Sequence, residues 1–424
     1  MSGYSMSEEI ARLGERAGLD VQSRFPEIDD VSERCTAGVL GAFQRHRVSA
    51  PCFAPATGYG YADTGRDTLD AVYADVFGAE AAIVRAGFAN GTHAVTAALF
   101  GALRPGDTLL SVTGAPYDTL RGAIGIEGGY VGSMREYGIG YAQIELTDGG
   151  RPDTAAIAAA AADSSVAAVL VQRSRGYTAR RALSVDDTGE IAGAVRAVNA
   201  RAAVIVDNCY GEFTEPCEPT HAGADLVAGS LIKNPGGGLA PAGGYIAGRS
   251  DLVEAAAFRL TSPGIGGECG PNLTDGRLLY QGLFMAPHTV AQALKTAIFC
   301  ARLMELLGYR VNPGWNAPRH DIIQSVELGR PELLEAFCRG IQAGAPVDAF
   351  AVPEAWDMPG YGCPVIMAAG TFVQGASIEL SADGPMRPPY TAYLQGGLTY
   401  EAGKIGVMTA AQMLTGSGAG PDAR

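Results

Sequence analysis

Apolar and polar positions divide the chain into stretches of different rhythm. Residues 7–47 carry apolar side chains at helical spacing, broken at Phe25-Pro26, and predict an amphipathic arm ending near Arg47. Residues 51–65 are rich in Gly, Pro and aromatic residues and predict an irregular, ordered segment. Leu69, Val72, Tyr73 and Val76 restore helical spacing over 67–77, with Thr68 or Asp67 as N-cap. From residue 81 short apolar runs alternate with helices. Strands are predicted at 81–84, 107–112, 166–172, 203–206, 226–228 and 244–247. Helices fall between them, near 92–103, 155–162 and 185–199. Strands that read as unbroken apolar runs are covered on both faces, so the alternation implies an α/β fold on a mostly parallel sheet.

Residues 251–300 read as helical with Gly and Pro interruptions. Beyond about 305 the strand signals shorten, at 365–367 and 377–380, and predict a smaller C-terminal α+β domain. The boundaries drawn are 1–50 for an N-terminal helical arm, 51–300 for the large domain and 301–424 for the small one. The tail from Thr415 to Pro421, made of small residues, reads as disordered.

A chain of 424 residues with 47% hydrophobic content buries a large core and is not a disordered protein. Its net charge of −14 argues against nucleic-acid or anionic-membrane partners, which need a basic surface. The N-terminus is polar and acidic, and no apolar run is long enough to span a bilayer. Neither a secretory signal nor a membrane span is expected, and a cytoplasmic location follows. The eight cysteines are scattered without a Cys-x-x-Cys pair and read as reduced thiols. The five histidines show no metal-ligand spacing, so no metal site is expected.

An anionic ligand would then need local donors. Asp207 ends an apolar strand in Ile205-Val206-Asp207-Asn208-Cys209-Tyr210. Lys233 lies on the Gly-rich loop after the next strand, in Ser230-Leu231-Ile232-Lys233-Asn234-Pro235-Gly236-Gly237-Gly238. Ligands of such sheets bind beyond the strand carboxyl ends. The pair suits pyridoxal 5'-phosphate (PLP): a lysine to form a Schiff base, and an aspartate to keep the pyridine nitrogen protonated so the ring absorbs a carbanion's electrons. Either residue alone has an ordinary explanation, as a solvated loop charge or a helix cap; the pair carries the reading. Asn90-Gly91-Thr92, between a strand and a helix, offers the N–H groups of Gly91 and Thr92 and a hydroxyl to a phosphate. Ser230 adds a second hydroxyl. Tyr117 is the first choice to stack on the ring and His93 the second. The three glycines after Lys233 predict a flexible or tightly turning loop, for which an αL turn is the ordinary account.

On these motifs the chain resembles the fold type I PLP-dependent enzymes of the cystathionine/methionine lyase superfamily. More closely, it resembles the methionine gamma-lyase-like family often labelled aluminium resistance proteins. Gly58-Tyr59-Gly60-Tyr61 through Leu69, Gln172-Arg173-Ser174-Arg175-Gly176-Tyr177, Gln374-Gly375 and Glu379 through Arg387 extend the likeness over about residues 45–412. The resemblance implies a large PLP domain with a mostly parallel seven-stranded sheet and a small α+β domain. It also implies a homo-oligomer, dimer or tetramer, with active sites at the subunit interface.

By the same resemblance Lys233 is the Schiff-base lysine and Asp207 pairs the pyridinium. Gly91, Thr92 and Ser230 hold the phosphate, and Tyr117 stacks on the ring and assists the leaving group. Tyr61 or Arg66 reaches the phosphate of the neighbouring subunit. The Tyr-x-Arg pair of the better-known lyases of the superfamily is not reproduced, since Asp63 stands two residues after Tyr61, and their Ser-x-Thr-Lys becomes Ser230-Leu231-Ile232-Lys233. Such enzymes hold the substrate carboxylate with an arginine of the small domain. Arg387 is the candidate, because a guanidinium grips a carboxylate at two points; Arg173 and Arg175 are alternatives. Tyr59, Tyr61 and residues 262–267 face the leaving group. The implied activity is a PLP-dependent carbon–sulfur or carbon–heteroatom lyase, performing β/γ-elimination on an amino-acid substrate with Lys233 as base. Alternatives are γ-replacement on an activated homoserine, or a PLP-binding stress-tolerance protein without turnover.

Overall fold

Ser7 opens the first helix, α1 (Glu8–Val21), its hydroxyl accepting the Ile10 N–H. The computed structural model describes residues 6–57, 61–127 and 131–416. A 3₁₀ turn over Gln22–Arg24 separates α1 from α2 (Phe25–Arg45). The break foreseen at Phe25-Pro26 falls here, because a proline in a first turn gives up only an N–H that has no helical partner. The next helix, α3 (Thr64–Val76), starts earlier than its spacing predicted. Asp63, rather than Thr68 or Asp67, caps it by accepting the Arg66 N–H.

The large sheet is built from β1 (Ala81–Arg85), β2 (Thr108–Ser111), β3 (Gly140–Gln143), β4 (Val166–Gln172), β5 (Ala203–Asp207), β6 (Leu226–Ser230) and β7 (Gly244–Gly248). Helices α4 (Gly91–Ala102), α5 (Asp118–Ile124), α6 (Thr154–Ala161), α7 (Val185–Arg196) and α8 (Ser250–Leu260) lie between and after them. Strand order is β1-β7-β6-β5-β4-β2-β3, parallel except that β7 opposes both its neighbours. The mostly parallel, seven-stranded expectation holds. Every residue of β4 and β5 is buried, and alternate ones enter different cores. Val169, Val171, Val204 and Val206 face one side; Ala168, Leu170 and Ile205 face the other. Each such Val or Leu contributes about 1.5–3 kcal/mol by leaving water. No apolar run announces β3, because this edge strand is largely exposed.

Beyond α8 comes α9 (Gly276–Leu306), whose 31 residues make a rod of about 46 Å. Its first part packs Leu283, Val290 and Ile298 into the large core, and its end gives Phe299 and Leu303 to the small one. The small sheet is antiparallel, with order β10-β11-β12-β9-β8. Its strands are β8 (Arg310–Asn312), β9 (Gln324–Glu327), β10 (Val365–Ala368), β11 (Ser381–Pro385) and β12 (Thr391–Gln395). Helices α10 (Pro331–Ala343) and α11 (Tyr400–Gly416) complete its core through Phe337, Ile341, Val407 and Leu414.

Residues 377–380, expected as a strand, form a turn leading into β11. The Glu379 carboxylate accepts the N–H groups of Phe372 and Val373, at 2.7 and 2.8 Å, and this local bonding bends the backbone out of a ladder. Thr415 and Gly416 end α11 rather than opening a tail; the residues from 417 lie outside those described. All eight cysteines are free thiols, and no described helix is long and apolar enough to cross a membrane.

Candidate active site

Parallel pairing sets the carboxyl ends of the central strands side by side. Gln172, last in β4, is the register partner of Asp207, last in β5, and Asp207 pairs with Ala228 of β6. Above these ends lies a cavity of about 520 Å³. The large sheet lines it with Thr92, Tyr117, Asp207 and Lys233, and the small sheet with Asp383, Arg387, Tyr393 and Gln395.

Lys233 follows β6 just before a 3₁₀ turn over Asn234–Gly236. A Cβ on Gly236 would fall 1.6 Å from the Leu231 carbonyl oxygen, so no other residue closes this turn. Gly237 continues in the left-handed region at φ 57°, the αL turn expected. The half-buried Lys233 carries its Nζ 4.0 Å from the centroid of the Tyr210 ring, a cation–π contact. Tyr210 itself sits at φ 71°, a backbone state costing about 1–3 kcal/mol. Its carbonyl accepts the Ile322 N–H at 3.3 Å, and its hydroxyl meets Ser377 and, at a long 3.5 Å, Gln395.

Burial pushes the Asp207 carboxyl above the usual aspartate range, while the Lys233 charge and the Cys209 N–H, 3.1 Å from Oδ1, pull it back. For Lys233 burial alone would favour the neutral amine. The acidic groups around it, Cys209, Tyr210, Asp207 and Tyr117, outweigh that and hold its ammonium well above the ordinary lysine range.

The start of α4 lies against β6. Asn90 Oδ1 accepts the His93 N–H at 2.9 Å, capping the helix. A Cβ on Gly91 would stand 3.1 Å from Ser230 Cβ and 3.2 Å from Cys209 Sγ, so the glycine lets the helix start approach β6. Ser230 Oγ is buried and has no hydrogen-bond partner among the described residues. Such an orphan costs free energy that an anionic oxygen would restore. The residues present therefore fit PLP, with a helix start and unpartnered hydroxyl for its phosphate, a buried carboxyl for its ring nitrogen and an amine for its aldehyde.

Tyr117 caps α5; its N–H donates to Gln172 Oε1 at 2.9 Å and its hydroxyl to Thr92 Oγ1 at 3.1 Å. Burial first, then the Asp207 charge, push its phenol well above the ordinary tyrosine range. His93 is not in the cavity wall, because its Nδ1 accepts the Ala89 N–H and its ring meets Phe88 edge-on. Arg387 lines the cavity, is exposed, and has no ion-pair or hydrogen-bond partner for its guanidinium among the described residues. Arg175 also lines it, but its Nη1 is spent on the Asn312 carbonyl at 2.6 Å. Arg173 is fully buried behind the sheet, bonded to Asn208, Gly211 and Glu215.

Two residues expected near a phosphate stand apart from the cavity of this single chain. Tyr61 is 70% exposed, while Arg66 is buried with its Nε 3.1 Å from Asp67. Tyr59 lies outside the described residues.

A sequence profile of the methionine gamma-lyase family matches residues 10–415. The chain belongs to this family. It is 51% identical to the Bacillus subtilis protein YnbB over 96% of this chain and 97% of that one. It is also 51% identical to a Clostridium novyi carbon-sulfur lyase involved in aluminum resistance, whose crystal structure superposes with a TM-score of 0.92 over 96% of each chain. CalE6, a methionine gamma lyase from Micromonospora echinospora, is 20% identical, with a TM-score of 0.59 over 91% of this chain and 98% of that one. That last likeness establishes the fold alone, the fold type I arrangement.

Several wall residues of this methionine gamma-lyase family member were given no role by sequence reasoning. Gln172, Tyr177, Tyr210, Tyr361, Asp383 and Tyr393 all line the cavity. Two carried a visible signal: Gln172 is the only polar residue of an otherwise apolar strand, and Asp383 is the only acid in β11. The tyrosines carried none, since packed and cavity-facing tyrosines look alike in a sequence.

Proposed function

We propose that this protein is a PLP-dependent lyase that eliminates a β- or γ-substituent, sulfur or another heteroatom, from an amino acid. The observation that carries the reading is the convergence of Lys233, Asp207 and Tyr117 on one cavity, lined from the small domain by Arg387, whose guanidinium has no partner among the described residues. Gly91, Thr92 and Ser230 would hold the phosphate, Asp207 the ring nitrogen and Lys233 the aldehyde. Bound there, PLP supplies an electron sink that lowers the cost of a carbanion beside the amino group.

Each side chain then has a task. The Lys233 amine, released by an incoming amino group, takes the α-proton as general base and carries it within the cavity. Tyr210 gives its ammonium form a surface to rest on. Asp207, kept from water, holds a proton on the ring nitrogen. Tyr117, its hydroxyl oriented by Thr92, would cover one face of the ring. Arg387 orients the substrate carboxylate, because its donors are uncommitted while Arg175 is pinned by Asn312. The cytoplasm and an interface-built oligomer belong to the same reading.

The deciding experiment is release of 2-oxo acid and ammonia by PLP-loaded protein. The panel is cystathionine, methionine, homocysteine, cysteine, O-acetylhomoserine and γ-halogenated amino acids. Release from one γ-substituted member establishes γ-elimination and names the leaving group; consumption of a second nucleophile instead would replace this reading with γ-replacement. Arg387→Ala is expected to raise KM for the responsive amino acid about ten- to a hundredfold, the worth of a charge-assisted contact, with a smaller change in kcat. An unchanged KM there, with the loss seen in Arg175→Ala, would move the carboxylate to Arg175.

A further inference from the structure

Asp383 is an acid that this scheme leaves unused. It lies in β11, 8% exposed, in the same cavity wall as Lys233 and Tyr177. No cation forms an ion pair with it among the described residues, although a buried carboxylate without one is costly. Its contacts are weak or neutral. Gln395 Nε2 reaches both oxygens at 3.4 Å, and the Tyr177 ring lines the same wall. The titratable groups facing it are Tyr177, Tyr210, Tyr361, Tyr393, Cys338 and Lys233. None but Lys233 is charged near neutrality. Burial pushes the Asp383 carboxyl up to about 7, with Gln395, the nearby Tyr177 hydroxyl and the Lys233 charge opposing.

The apolar part of this wall is Ile232, Ile323, Met358 and Met367, a surface for a substrate side chain. A departing heteroatom there needs a proton. Tyr117 keeps its proton, but its hydroxyl already donates to Thr92 Oγ1 at 3.1 Å.

We propose that Asp383 is the general acid for the leaving group. The proposal rests on the lyase reading above. As a base removes the β-proton, the electron pair of that C–H bond forms the new carbon–carbon double bond. The γ-carbon–heteroatom bond breaks with its pair on the heteroatom. The carboxyl proton of Asp383 passes to that atom, so a neutral thiol departs and a carboxylate remains. Gln395 already donates to the carboxylate so formed. The cavity mouth beside exposed Arg387 returns a proton from solvent.

The test uses full-length, PLP-loaded wild type, Asp383→Asn and Asp383→Glu with S-ethylhomocysteine and S-(4-nitrophenyl)homocysteine. Asp383→Asn is expected to slow ethanethiol release about a hundredfold or more. Nitrophenylthiolate leaves without protonation, so its release should slow less than about tenfold. Asp383→Glu should recover part of the ethanethiol rate. In wild type that rate should fall as pH rises through about 7, because only the protonated carboxyl donates; in Asp383→Asn this limb disappears. Infrared difference titration of the cofactor-free proteins gives a readout independent of turnover. A protonated-carboxyl band lost near neutrality in wild type and missing in Asp383→Asn supports the assignment. Equal slowing of both thiols, or ethanethiol release undiminished in Asp383→Asn, overturns it. Wild type that exchanges no α-hydrogen in deuterium oxide overturns the lyase reading itself; α-exchange with the two thiols equally slowed overturns only the role of Asp383.

Discussion

Lys233→Ala is expected to abolish turnover, by at least about a thousandfold, and to remove the visible absorption of lysine-bound cofactor. Two losses combine. The amine that would take the α-proton is gone, and so is the covalent tether that would hold the cofactor aldehyde. Alanine also leaves the Tyr210 ring without the ammonium 4.0 Å from its centroid. The substitution should reach Asp207 as well. Lys233 is the first group opposing the burial that raises the Asp207 carboxyl, so its removal drives that carboxyl further up. Lys233→Arg keeps a charge there but supplies no neutral amine at working pH, and should be equally inactive. Absorbance of the reconstituted protein and 2-oxo acid release decide it. Turnover within tenfold of wild type in either variant would remove Lys233 from the role of base.

What the sequence disclosed, and what it concealed, follows from how each feature is encoded. The central strands were legible because burial on both faces leaves an apolar run, as in Val166–Gln172. The turn at 377–380 was misread as strand because its conformation is fixed by Glu379 accepting backbone N–H groups, a bond that composition does not show. Asp207 and Lys233 were legible because strand ends and a glycine-rich loop mark a ligand site in a parallel sheet. The far wall was not. Asp383, Tyr393 and Gln395 face Lys233 only because α9 carries the small sheet back over the large one. No local pattern in 381–395 announces that meeting. Tyr61 and Arg66 sit apart from the cavity of one chain. A role for either therefore depends on a second copy.

Asp207→Asn isolates the other half of the lysine–aspartate pair, and should cost about a hundredfold or more in kcat, like the loss of one preorganised electrostatic partner. Asparagine preserves the shape: its Oδ1 still accepts the Cys209 N–H now held at 3.1 Å. It cannot keep a proton on a ring nitrogen by opposing its charge. Cofactor affinity should fall much less than kcat, because the phosphate donors proposed at Gly91, Thr92 and Ser230 are untouched. The cofactor-free protein offers an independent check. Asp207 is one of the groups holding the Lys233 ammonium above its usual range, against burial that favours the neutral amine. Removing its charge should therefore lower the pH at which Lys233 becomes reactive toward an amine-specific reagent. Aspartate-to-glutamate should fail for a different reason, since the added methylene has no room where Asp207 is 4% exposed. If Asp207→Asn keeps kcat within tenfold and leaves Lys233 reactivity unmoved, the aspartate is a packed strand end and the electron sink must be tuned from elsewhere in the cavity.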